Sequence, residues 1–143
     1  MNPLPEPSAI VQLMMANDAF SQWLGITVEE IRPGYCSLSM IVRPEMTNGF
    51  GITHGGIAIS LADSALAFAA NAAGRMAKTV QLSCQYIRPV NAHERLQATA
   101  IETERTHRFS YIEVIITRGS EKIAALHGMA YLSDKEWVIP PTS

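Results

Sequence analysis

The sequence predicts an α+β fold, one long helix lying against a highly curved antiparallel sheet, and three observations lead there. First, Ile57, Leu61, Ala65 and Phe68 recur at i, i+4, i+8 and i+11, the spacing of a buried helix face, with alanines between them that permit close packing on several sides. Second, beyond Gly74 the chain shows period-two alternation and no further helix. Third, the four strands so marked follow one another through short connections, which makes antiparallel neighbours in at least one meander. A single long helix must then cover one face of that sheet.

The chain divides accordingly. Residues 1–7 hold three prolines and are expected to be extended and peripheral. Ser8 is a candidate N-cap for a short amphipathic helix carrying Ile10, Val11, Met14 and Met15 toward Phe20 and Trp23. Leu24 to Ile31 suits a short strand, Arg32-Pro33-Gly34 a turn, and Tyr35 to Arg43 an alternating strand that Pro44 closes. A glycine-rich loop leads into the long helix, which runs to about Ala73 with Gly74 as its C′ residue. The later strands are expected over Lys78–Arg88, His93–Glu104, Arg108–Thr117 and Lys122–Leu132, with the tail from Asp134, including Trp137, peripheral. One domain accounts for all 143 residues.

Composition narrows the function. The chain is 48% hydrophobic and only 17% charged, which points to surface covered by partners. A net charge of −2 without a basic cluster argues against an extended nucleic-acid surface. Cys36 and Cys84 lack metal-ligand spacing and read as reduced, small apolar residues. His54, His93, His107 and His127 lack the near spacing of a zinc motif, so no metal site is expected. The N-terminus has no basic-then-apolar leader, and the apolar helix is too short to span a bilayer, so a cytoplasmic location is the default.

Chemistry concentrates between Thr47 and Ala73. Four glycines fall within the first ten residues of that stretch, and Gly55 and Gly56 open the helix. Their amides, at the positive end of the helix dipole, can receive a developing oxyanion, although two glycines serve backbone geometry equally well. Asn48 and His54 can orient a carbonyl or a water. Asp63 is the only ionisable residue from Ile57 to Ala73, and a carboxylate on such a helix is most cheaply explained by a polar site. There is no G-x-S-x-G elbow, P-loop or dinucleotide fingerprint.

The stretch N-G-F-G-I-T-H-G-G-I-A-I-S-L-A-D-S-A-L-A resembles the signature of the hotdog-fold acyl-CoA thioesterases of the phenylacetic-acid-degradation (PaaI) group, and the resemblance extends over about residues 20–132. It implies a hotdog fold, a helix wrapped by an antiparallel sheet, in a homodimer whose sheets join, often as a dimer of dimers. It implies further that Asp63 acts as nucleophile or general base and that the Gly55 amide receives the thioester oxygen. Asn48 and His54 would polarise or position the substrate, and Thr79 would orient the hydrolytic water. Gly56 lies beside the oxyanion donor, and Arg105 and Arg108, in a T-E-R-T-H-R stretch that departs from the group's glycine-bearing turn, would meet the coenzyme. Read from the residues alone, Thr79 is equally an outward strand residue and the two arginines equally solvated charges. Coenzyme A enters as part of the substrate, an aryl-acyl or medium-chain acyl-CoA, and no separate cofactor is implied. A hotdog hydratase or dehydratase is the alternative, but its D-x-N-P-x-H-type motif is missing; non-catalytic acyl-CoA binding is another.

Helix geometry adds one constraint. Gly55 and Asp63 are eight residues apart, about 12 Å along a helix, too far for both to reach one thioester. Two antiparallel helices related by a two-fold axis would each supply Gly55 to a site completed by Asp63 of the other.

Overall fold

The computed structural model describes residues 2–142 and contains three α-helices and six strands. Helix α1 (Pro7–Ala16) and the short α2 (Ala19–Leu24) precede the β1–β2 hairpin (Thr27–Arg32, Tyr35–Ile41). The long helix α3 (Gly55–Asn71) follows, and then β3 (Arg75–Tyr86), β4 (Arg95–Arg105), β5 (Phe109–Arg118) and β6 (Glu121–Glu136). All strand pairs are antiparallel, in the order β1-β2-β4-β5-β6-β3. The expected meander is therefore β4-β5-β6, with β3 added beyond β6 as one edge of the sheet.

Several boundaries differ from the sequence expectation, each for a local reason. Helix α1 starts at Pro7, whose fixed φ and missing N–H suit a first helical position, so Glu6 rather than Ser8 precedes it. Part of the expected 24–31 strand goes to α2, which Asp18 caps by accepting the Ser21 amide at 2.9 Å. Strand β6 continues four residues beyond Leu132, and Trp137 is stitched to the end of α3. Its indole Nε1 donates to Asn71 Oδ1 at 2.8 Å and its amide to the Gly74 carbonyl at 2.8 Å. Buried Asn71 also accepts the Ala77 amide and donates to the Ala67 and Ala77 carbonyls. One side chain thus joins helix end, β3 and tail, and the segment up to Trp137 is integrated rather than peripheral. Gly74 adopts φ 108° at this junction, a left-handed conformation that glycine takes without strain.

Helix α3 buries most of its circumference. Ile57, Leu61, Ala65 and Phe68 are buried as the stripe requires, and so are Ala58, Ala62, Leu66, Ala69 and Ala70 around them. Removal of each large side chain from water contributes about 1.5–3 kcal/mol. Close approach of helix to sheet depends on Gly128 of β6, where an added Cβ would lie 2.5 Å from Leu66 Cδ1 and 2.8 Å from the Gln81 carbonyl. On the far side, Ser64 Oγ meets buried Ser21 Oγ at 2.8 Å, which ties α2 to α3. One strip of α3, running through Ile59, Ser60 and Asp63, stays uncovered next to β3. Among the described residues no helix is long and apolar enough to cross a membrane.

Candidate active site

The loop before α3 is a small, fully braced hairpin. Thr47 and Thr53 pair as an antiparallel bridge. The Asn48 amide donates to Ile52 O at 2.7 Å, and Asn48 Oδ1 accepts the Phe50 amide at 2.9 Å and the Ile52 amide at 3.4 Å. With Oδ1 so used, the side-chain NH₂ of Asn48 is left as a free donor beside the cavity described below. Thr53 is anchored to Val90, and the His54 amide donates to Met46 O at 2.8 Å.

His54 is the N-cap of α3, and its Nδ1 accepts the Gly56 amide at 2.9 Å. That bond requires an imidazole unprotonated at Nδ1 and leaves Nε2 as the only nitrogen able to donate. The Ile57 amide donates to His54 O at 2.9 Å. Of the first three helical amides only that of Gly55 has no partner among the described residues, so the expectation of two open amides is reduced to one. Sequence reasoning missed Tyr86. Its hydroxyl donates to Gly55 O at 2.9 Å, and its ring lies so close that a Cβ on Gly55 would be 2.8 Å from Oη and 2.9 Å from Cζ. Partial burial, with Cys84 beside it, pushes the Tyr86 phenol above its ordinary value and keeps it a proton donor.

Asn48, His54, Gly55 and Tyr86 line a cavity of about 440 Å³. Ile52, Ala58, Ile87, Val90, Leu96 and Ile123 make its walls apolar, and the half-exposed Arg88 adds a cation. A second cavity, of about 320 Å³, lies between α3 and β3 and holds Asp63, Thr79, Ser60 and Gln81. Asp63 is exposed there and makes no hydrogen bond or ion pair with any described residue, so within the protomer this carboxylate is open to water. Gly55 lines the first of these two cavities and Asp63 the second, in keeping with their separation of about 12 Å along the helix.

Arg105 and Arg108 line neither cavity. Arg105 pairs with Glu102 at 2.9 Å, and the same carboxylate accepts from Ser110. Arg108 holds Asp134 in a two-pronged pair at 2.9 and 3.1 Å, which lowers the aspartate below its ordinary range. Both arginines flank the β4–β5 turn, roughly 30 Å along β4 from the cavity wall at Leu96. The cation that does reach the cavity, Arg88, follows Tyr86 at the end of β3; the only signal for it was the Arg-Pro that closes the strand. Cys36 and Cys84 are free, and burial pushes the Cys36 thiol up to about 12. No three His, Cys, Asp or Glu side chains gather into a metal site among the described residues.

Comparison with known proteins agrees with this architecture. Residues 50–125, just over half of the chain, match the thioesterase superfamily. Over 113 residues the chain is 33% identical to the acyl-coenzyme A thioesterase PaaI of Escherichia coli, covering 79% of this chain and 81% of that protein. The E. coli PaaI structure superposes with a TM-score of 0.88 at 27% identity, covering 91% of this chain and 95% of the other. A mutant of the phenylacetic acid degradation protein PaaI from Thermus thermophilus superposes at 0.77 and 31% identity, covering 80% and 98%. The single long helix on a curved antiparallel sheet, the glycine-opened helix start and these similarities together make the chain a hotdog-fold thioesterase of the PaaI-like family.

Proposed function

We propose that the protein hydrolyses aryl-acyl or medium-chain acyl-CoA to the free acid and coenzyme A, at sites that each combine residues of two protomers. The observation that carries this reading is the separation of a lone helix-start amide, Gly55, from a lone carboxylate, Asp63, into different cavities of one chain. The edge strand β3 favours a partner. It is twelve residues long, is paired only to β6, and with α3 exposes Ile59, Val80, Tyr86 and Ile87. Edge-to-edge pairing of two β3 strands would continue the sheet and lay the open strips of two α3 helices against each other.

In such a site the thioester carbonyl accepts hydrogen bonds from the Gly55 amide and the Asn48 NH₂, which take up the negative charge that develops on oxygen. His54 holds the neighbouring Gly56 amide. Asp63 of the second protomer either attacks the carbonyl carbon or removes a proton from the attacking water, which Thr79 orients. Collapse of the tetrahedral intermediate breaks the C–S bond, and the coenzyme A thiolate leaves and takes up a proton; on the nucleophilic route the acyl-aspartyl anhydride so formed is then hydrolysed by water, which frees the acid and restores Asp63. The acyl group occupies the apolar cavity, whose size suits a ring or a medium chain. Arg88, which pairs with Glu121 at 3.6 Å and donates to the Lys122 carbonyl, meets the anionic coenzyme at the cavity, while Arg105 and Arg108, ion-paired as well, would have to reach it from the other protomer.

Thiol release from a panel of acyl-CoA substrates tests the assignment. Phenylacetyl-CoA and medium-chain thioesters are expected to show higher kcat/KM than acetyl-CoA. Preference for acetyl-CoA over every aryl and medium-chain substrate would remove the acyl group from this cavity, and tight binding without thiol release would make the protein a carrier.

A further inference from the structure

The peptide between Gly55 and Gly56 is held at both ends by side chains from different parts of the fold. His54 Nδ1 takes its N–H at 2.9 Å, and the Tyr86 hydroxyl donates to its C=O at 2.9 Å. Two consecutive glycines are the most pliable dipeptide a chain can offer, and they stand at a helix terminus, where fraying begins. The free Gly55 N–H lies on the preceding peptide, His54–Gly55, whose carbonyl accepts the Ile57 amide at 2.9 Å, and the two peptides meet at the Gly55 Cα. The residues before it are fixed as well, Thr53 by Val90 and the His54 amide by Met46. Tyr86 supplies the one restraint that comes from the sheet, since it ends β3, 31 residues beyond Gly55.

We propose that Tyr86 is a positioning residue for thioester hydrolysis, its hydroxyl and ring together aiming the free Gly55 amide at the substrate carbonyl. The role rests on the reading of Gly55 as the oxyanion donor. Preorganisation is what gives such a donor its effect, because a dipole already aimed needs no reorganisation as charge develops. The ring does half of the work by contact: it fills the space a side chain at position 55 would need and so bars the peptide from rotating that way. The hydroxyl does the rest by holding the carbonyl. Neither group touches the reacting atoms, so the effect should appear in turnover rather than in substrate binding.

Tyr86→Phe keeps the ring and removes only the hydroxyl. Its kcat for a substrate that the wild type hydrolyses should fall about tenfold, a fraction of what deleting an oxyanion donor costs, with KM within roughly twofold. Turnover is counted per folded dimer. Tyr86→Leu, which removes ring and hydroxyl, should lose at least as much, so either folded variant decides the matter. A second readout separates positioning from general stability: the infrared carbonyl stretch of a bound acyl-CoA analogue in which methylene replaces the thioester sulfur. In the wild type that stretch should lie below its value in water, and in Tyr86→Phe most of the displacement should be gone. Unchanged kcat and an unchanged carbonyl stretch in a folded variant would overturn the proposal. A wild type that hydrolyses no acyl-CoA would instead fail the reading of the site itself, a result visible before any variant is made.

Discussion

Asp63→Asn should lower kcat by about 10²–10⁴-fold, the range that a positioned general base contributes, and leave the protein folded with little change in Tm. The two halves of that result come from the same geometry. Asp63 lies exposed on the open strip of α3 and has no hydrogen bond or ion pair with any described residue. Neutralising it therefore breaks no internal interaction, and asparagine keeps its size. What is lost is the one carboxylate that faces Thr79 in the cleft between helix and edge strand. Steady-state thiol release and thermal unfolding on the same preparation check both halves. Had the aspartate served folding alone, stability would fall before activity does, and kcat per folded molecule would stay at the wild-type value.

Gly55→Ala should cost about 10²–10³-fold in kcat, comparable to removal of an oxyanion-hole donor. The cause differs from simple crowding of the substrate. The added methyl would sit 2.8 Å from Tyr86 Oη and 2.9 Å from Cζ, distances at which one side must move. Tyr86 is half exposed at the end of β3, so its side chain gives way more readily than the helix start, and the Oη to Gly55 carbonyl bond breaks. Thus the substitution both displaces the amide and releases the peptide on the other side of the Gly55 Cα. Turnover in a folded variant, with KM measured alongside, checks the prediction; unchanged kcat would move the oxyanion donor elsewhere.

Much of this arrangement can be read from the residues, because local patterns encode it. The 3.6-residue stripe of α3 and the alternation of β4, β5 and β6 each reflect one buried face, and Gly55 and Asp63 are conspicuous as a paired glycine and a lone charge. Features made by distant partners leave no such trace. Period-two alternation marks β3 as a strand but does not say that it pairs with β6, about forty to sixty residues on, and a register shift between Thr79 and Gln81 leaves Val80 exposed. The closure of Asn71 by Trp137 spans 66 residues. The Tyr86 ring reads as one more apolar position on β3 until the fold sets it against Gly55. Likewise, nothing in T-E-R-T-H-R reveals that Arg105 and Arg108 hold Glu102 and Asp134. Charged residues look available in sequence, and only three-dimensional neighbours show which are already engaged.

The two-protomer site is tested most directly by mixing two inactive variants, Asp63→Ala and Gly55→Pro, under conditions that exchange subunits. Proline at the first helical position removes the amide hydrogen yet suits a helix start, and His54 before it already has the extended backbone that proline demands; its Cβ, like that of alanine, displaces the half-exposed Tyr86 side chain. In a heterodimer one site carries both lesions and the other carries neither. Activity should therefore reappear on mixing, approaching about half the wild-type value per heterodimer. Proven subunit exchange with no recovered activity, or full activity in an isolated monomer, would contradict the assignment of Gly55 and Asp63 to one reaction centre.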